Sequence, residues 1–164
     1  MNLILIIGHT GQGKTTWVKD FLKGRKSYIF DVNNEYAEFP RDCNLDAKKF
    51  VETALTMQGT NIVFEDATGF FEGRQNDLTK RLIVQKRHAR NNLLFLFHSI
   101  ADIPPAIARL ANFVVLFSTL DEPKTVERKY RMLYTFYYTF HKTKVKSHVY
   151  NQSVIYKPQT FKMI

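Results

Sequence analysis

At 164 residues, with 45% apolar and 24% charged side chains, the chain is sized for one compact domain, residues 1–164, with little room for a second. Its single cysteine, Cys43, excludes an internal disulfide and reads as an ordinary loop or core thiol; five scattered histidines supply no zinc framework, and no apolar run nears the roughly 20 residues that span a bilayer. The net charge of +9 is lopsided, with 9 Lys/Arg against 11 Asp/Glu over residues 1–79 and 15 against 4 over residues 80–164, so the second half is a candidate surface for a polyanion, nucleic acid or an anionic membrane face.

The first seven residues are too short and lack the basic leader of a signal peptide, so a soluble protein of a reducing cytoplasm is expected. An aromatic share of 14% further suggests surface buried against a partner. Residues 3–7 form an apolar run that predicts a buried strand, and Gly8-His9-Thr10-Gly11-Gln12-Gly13-Lys14-Thr15 follows at once. The spacing G-x-x-x-x-G-K-[ST] is that of a phosphate-binding loop, the Walker A pattern. Its glycines let successive backbone N–H groups curl round a phosphate chain, the Lys14 ammonium reaches the outer phosphates, and the Thr15 hydroxyl ligates Mg²⁺. Thr16 continues the set at the start of a helix predicted over residues 14–22, whose dipole adds positive potential. A nucleoside triphosphate is the expected ligand.

Lys23-Gly24-Arg25-Lys26 closes a turn, and residues 27–30 predict a second strand ending at Asp31. The loop Asp31-Val32-Asn33-Asn34-Glu35-Tyr36 carries two readings. Asp31, Asn33 and Glu35 face the ligand crevice at the carboxyl edge of a parallel sheet, or an Asx-type turn merely ends the strand. Residues 46–57 repeat apolar positions at helical spacing, with Leu45-Asp46 as the start and Gly59 as the stop. Residues 61–66, Asn-Ile-Val-Phe-Glu-Asp, then read as a buried strand with two carboxylates at its tip. A magnesium triphosphate site needs such a pair, one carboxylate for the metal and a neighbour for the attacking water. Glu65 is expected at the metal with Thr15; which of Glu65 and Asp66 is the general base stays open, because Asp before Glu is the usual order and the reversal leaves a shorter side chain to reach the water.

Residues 74–90 predict a helix with one apolar side and a basic side carrying Lys80, Arg81, Lys86, Arg87 and Arg90. Residues 93–97 are a fourth strand ending at His98, which either senses the outermost phosphate or caps the strand. Residues 103–107 open a short helix with proline in its first turn, and residues 113–117 are a fifth strand. Asp121-Glu122-Pro123 begins a long helix, the acidic pair lying at its positive end, and aromatics at helical spacing within it read as core. Residues 147–150 and 154–156, separated by Asn151-Gln152-Ser153, suggest a terminal hairpin. Five apolar strands alternating with helices imply an α/β fold, a mostly parallel sheet covered on both faces, with a core of about residues 1–120 and the helix and hairpin of about 121–164 appended.

The succession of G-H-T-G-Q-G-K-T, D-V-N-N-E-Y, the acidic strand I-V-F-E-D, a basic helix and L-L-F-L-F-H-S-I resembles the HerA/FtsK superfamily of DNA-pumping ATPases over roughly residues 1–120. The small size is most similar to the genome-packaging ATPases of membrane-containing double-stranded DNA viruses. The resemblance implies a RecA-like P-loop NTPase core, ATP with Mg²⁺, a homohexameric ring, and movement of duplex DNA through its pore. It makes His98 the polar sensor. It also makes Arg87, with Arg90 one turn away, the candidate arginine finger to a neighbouring subunit's nucleotide; the alternative leaves both on phosphate backbone or in solvent. The host cytoplasm or the virion, and a capsid or membrane vertex protein as docking partner, follow from the same resemblance. Two rival readings are a membrane-associated assembly or secretion ATPase resembling the zonula occludens toxin-like proteins of filamentous phages, and a small P-loop kinase whose arginine lid the basic helix would imitate.

Overall fold

The computed structural model describes residues 1–44, 46–72, 75–150 and 153–163, with all their side chains except those of Gln75, Met132, Tyr150 and Ser153. In chain order the elements are β1 (Leu3–Ile7), α1 (Lys14–Leu22), β2 (Ser27–Phe30), β3 (Arg41–Asp42), α2 (Ala47–Thr56), β4 (Asn61–Phe64), α3 (Gln75–Gln85), β5 (Asn92–Phe97), α4 (Pro105–Leu110), β6 (Phe113–Leu116), α5 (Pro123–Lys129), α6 (Arg131–Thr143), β7 (Lys146–Tyr150), β8 (Ser153–Tyr156) and β9 (Gln159–Lys162). Short 3-10 helices follow β4 at Ala67–Phe71 and β5 at Ile100–Asp102. Three expected features lie outside the described residues: Leu45 at the start of the second helix, Arg74 at the start of the basic helix, and Asn151-Gln152 in the hairpin turn.

The central sheet has the order β3-β2-β4-β5-β1-β6-β9, with β7 and β8 as a separate pair. Every neighbouring pair in it is parallel except β6 with β9. The five apolar runs are β1, β2, β4, β5 and β6, and they fill the middle because a strand buried on both faces needs apolar side chains at every position. The edge strands escaped the sequence. β3 is the two polar residues Arg41 and Asp42, and β9 alternates half-buried with exposed positions. β5 lies between β1 and β4, so the tip of β5 separates the phosphate loop from the acidic pair.

Alternation along the strands divides the interior into two cores. Leu3, Leu5 and Ile7 of β1 and Leu93, Phe95 and Phe97 of β5 face the larger one, under α2 to α6. Ile4, Ile6, Leu94 and Leu96 face the smaller one, closed by Val18 and Leu22 of α1 together with Tyr36. The aromatic residues are largely internal: Phe50 packs edge-on to Phe30, Phe64 and Phe70, and Phe64 lies on Phe95. At the opposite edge of the sheet, asparagine amides stitch the strand starts. Asn92 accepts from the Asn2 amide at 2.9 Å and donates to Asn61 at 3.0 Å, while Asn112 accepts from Leu3 at 2.8 Å.

Two predicted helices end differently. The helix expected over residues 74–90 is regular only to Gln85; residues 86–90 run on as turns and close where Arg90 takes a left-handed φ of 56°, through Asn91 N–H to the Lys86 carbonyl and Arg90 N–H to the Arg87 carbonyl. That is a Schellman closure, usually built on glycine. Lys86 is buried rather than on the basic side; burial, then Arg87, lowers its pKa. Arg90→Gly is therefore expected to stabilise the fold by about 1 kcal/mol, seen as a higher urea midpoint at unchanged slope. The long helix expected from residue 121 is two, broken where Tyr130 leaves helical geometry at φ −147° and ψ 80°. Asp121 does not serve its N-terminus. Its carboxylate accepts from the Ser99 hydroxyl and from the Ile100 and Ala101 amides at 2.8 and 3.2 Å, tying down the turn after β5.

Candidate active site

The phosphate loop leaves β1 between two neighbours that anchor it, Gly8 N–H bonding the Phe97 carbonyl at 3.1 Å and His9 N–H the Ser118 carbonyl at 3.0 Å. Gly8 must be glycine, because a Cβ there would sit 2.5 Å from that of Phe117. Gly13 takes φ 88° at the N-cap of α1, so the chain turns from loop to helix with its amides facing inward. Lys14 is folded over this turn, its ammonium donating to the carbonyls of Gly8 and of His9, the latter at 3.2 Å. Burial lowers the Lys14 pKa to about 8, against the opposing pull of Glu65, Glu35 and Asp66. Burial, then Lys14 and His98, lowers that of His9.

Loop 31–36 divides between the two readings of its sequence. The Thr15 hydroxyl donates to Glu35 Oε2 at 2.8 Å, and Asn33 N–H donates to Glu65 Oε2 at 3.3 Å, so Glu35 and Asn33 belong to the site. Asp31 does not. It is buried and accepts from the Glu35 and Tyr36 amides at 2.9 and 3.0 Å and from Arg41 at 2.6 Å, forming the Asx-type turn that presents Glu35. Burial pushes the Asp31 pKa up, but Arg41 and the two amides outweigh it and hold it below the ordinary 3.8. A depressed carboxyl stabilises the fold fully above its unfolded value and ceases to do so as pH falls through the folded one. Asp31→Asn is expected to lower the urea midpoint at neutral pH and to shallow its decline between about pH 4 and pH 2, a titration that checks the pair directly.

At the tip of β4, Glu65 is buried and its pKa is raised, by burial first and then by Glu35 and Asp31, with Asn33 opposing. Asp66 is exposed and left-handed at φ 49°. His98 is exposed at the tip of β5, its Nδ1 3.4 Å from the Thr10 hydroxyl, so it lies over the phosphate loop. Arg87 and Arg90 are exposed before the start of β5, at the far edge of the sheet, and neither lines the cavity at the phosphate loop.

One cavity of about 690 Å³ holds most of these groups: the loop from Thr10 to Thr16, with Asn33, Glu35, Glu65, Asp66 and His98. Its remaining wall includes Trp17, Phe117 and residues of the β7–β8 pair. Thr15, Glu35 and Glu65 are hard oxygen donors of the kind Mg²⁺ takes. Among the described residues no cluster of three His, Cys, Asp or Glu side chains could hold a metal ion. Sequence reasoning gave Glu35 no defined task; the signal was the four-residue spacing Asp31 to Glu35, in which the aspartate builds the turn that aims the glutamate.

No protein-family model and no curated protein matches the sequence. Solved structures do match. The genome packaging NTPase B204 from Sulfolobus turreted icosahedral virus 2, in complex with AMPPCP, superposes with a TM-score of 0.70 at 16% identity, covering 95% of this chain and 96% of that one. B204 of Sulfolobus Turreted Icosahedral Virus, a DNA-packaging ATPase, gives 0.66 at 17% identity over 79% and 82%. The N-terminal domain of zonular occludens toxin from Neisseria meningitidis gives 0.57 at 13% identity over 73% and 78%. With the parallel sheet, the flanking helices and the phosphate loop at its carboxyl edge, the chain has the α/β fold of the P-loop NTPases.

Proposed function

We propose that this chain is an ATPase that moves double-stranded DNA, packaging a viral genome as a homohexameric ring. The observation that carries the reading is the meeting of Lys14, Thr15, Glu35 and Glu65 in one cavity at the carboxyl edge of the sheet. The likeness to structures of genome packaging NTPases over nearly the whole chain favours a motor over other users of the fold. None of Lys80, Arg81, Arg87 or Arg90 lines the cavity, which argues against the kinase reading, whose lid they would form.

The loop amides and Lys14 bind the β- and γ-phosphates; Thr15 with Glu35, in place of the Glu65 expected from the sequence, would hold Mg²⁺, which would supply charge neutralisation. Glu65 takes the proton of the attacking water as its oxygen bonds to the terminal phosphorus. The bond from that phosphorus to the bridging oxygen breaks, and ADP and phosphate leave. Raised pKa suits Glu65 to the proton, and Asp66, at the rim, orients the water. His98, over the loop, registers loss of the terminal phosphate. Arg87, unable to serve its own subunit, is assigned to a neighbour's nucleotide, which makes turnover depend on the ring.

Exposed Arg81, Arg128, Lys129 and Arg131 provide backbone-neutralising charge without base readout. The host cytoplasm and the virion are the proposed settings, with a capsid or membrane vertex protein as dock. No described helix is long and apolar enough to cross a membrane. A triplex-displacement assay tests the motor: ATP-dependent release of a third strand from duplex DNA is expected, and release that needs no ATP, or none at all, contradicts it. The likeness to the zonular occludens toxin domain favours a second reading, a secretion or assembly ATPase, which predicts hydrolysis indifferent to DNA.

A further inference from the structure

The cavity does not end at the phosphates. Along α1, Gly13, Thr16, Trp17 and Asp20 share one helical face and all line it, which carries the cleft about two turns away from the loop. Across from that face stands the base of the β7–β8 pair, represented by His148, Ile155, Tyr156 and Pro158. Among the described residues this pair forms a two-stranded sheet separate from the central one. Its register shifts between Lys146 and His148, the kind of irregularity that re-aims side chains beside a site.

Ile155 is 5% exposed and anchors the hairpin, while its neighbours Val149 and Val154 are 53% and 39% exposed. Tyr156, half-buried and packed against the margin of the larger core, brings an aromatic ring to the cleft, with the Lys144 ammonium 4.4 Å from its centroid. The Gln12 side-chain oxygen, buried in the same cleft, has no hydrogen-bond partner among the described residues.

We propose that the base of the C-terminal hairpin is the nucleobase subsite, in which the Tyr156 ring stacks on the base of the bound nucleotide, while Ile155, on the other face of the strand, fixes the hairpin. This rests on the triphosphate reading of the loop. Polyphosphate without a base should therefore ignore the hairpin. Stacking is tolerant of base identity, because every base has a π-face, so ATP and GTP are held alike.

Trp17 is the sole tryptophan and lines the cleft, so its fluorescence reports occupancy. Titrations with Mg·ATP, Mg·GTP and inorganic triphosphate are compared for the wild type, Tyr156→Ala, Tyr156→Phe and Val149→Ala. Tyr156→Ala is expected to weaken both nucleotides about tenfold and leave inorganic triphosphate unchanged; Tyr156→Phe and Val149→Ala bind as the wild type does. Unchanged ATP affinity in Tyr156→Ala, an equal loss for inorganic triphosphate, or a matching loss in Val149→Ala overturns the subsite. If the wild type binds none of the three, the triphosphate reading itself fails, an outcome distinct from failure of the hairpin.

Discussion

Lys14→Ala is expected to reduce ATP turnover by about 10²–10³-fold or more and to weaken nucleotide binding, with the fold retained by circular dichroism. The lysine is buried over the loop and, among the described residues, is bonded to the backbone carbonyls of Gly8 and His9, so its charge is held where a terminal phosphate would replace those carbonyls. Confinement costs the free protein something: the Lys14 pKa falls to about 8. A bound polyphosphate favours the ammonium form, so the bound pKa exceeds the free one and binding takes up protons. ATP affinity in the wild type is thus expected to be flat below about pH 8 and to decline above it, a dependence that Lys14→Ala removes. Calorimetric titrations at pH 7 and pH 9 measure both effects. Equal affinity of wild type and variant at pH 7 would dismiss the lysine as a phosphate ligand.

The second large effect is at Glu65. Glu65→Gln keeps the shape of a buried side chain and removes its basicity, so kcat is expected to fall about 10²–10⁴-fold while ATP still binds. Single-turnover chemistry measured beside Trp17 fluorescence separates the two. Glu35→Gln is expected to differ in kind, since Glu35 accepts from the Thr15 hydroxyl: the magnesium concentration for half-maximal activity rises, and saturating metal restores much of the rate. Asp66→Asn, at the exposed rim, is expected to cost less than Glu65→Gln. A reversed order, with Asp66→Asn the more severe, would give the proton to Asp66.

These roles were unequally legible in the residues. The phosphate loop was readable because its chemistry demands fixed spacing, and the five central strands because burial on both faces demands unbroken apolar runs. β3 and β9 carry no such signature. They sit at sheet edges, where two polar residues or a half-exposed alternation suffice, and their pairing is set by long-range contacts. The same limit explains Asp121. Beside Pro123 it has the local look of a helix start, yet its carboxylate is claimed by the turn after β5, over 20 residues away in sequence. Arg90 hid a helix end because arginine occupies a left-handed position that glycine usually marks. In loop 31–36 composition alone left turn and site equally open, and only the fold shows that Asp31 builds the turn while Glu35 uses it. The hairpin's part in the cavity had no local sign, since His148, Ile155 and Tyr156 share a cavity with the phosphate loop through the packing of the C-terminal segment.

The central claim is that the N-terminal loop holds a triphosphate which assembled subunits hydrolyse. Steady-state ATP hydrolysis by the full chain, measured across a protein concentration series with and without duplex DNA, tests it most directly. The predicted result is turnover per subunit that rises with concentration as rings form, rises further with DNA, and falls about 10²–10³-fold or more in Lys14→Ala. Turnover absent at every concentration, or present undiminished in Lys14→Ala, would contradict it.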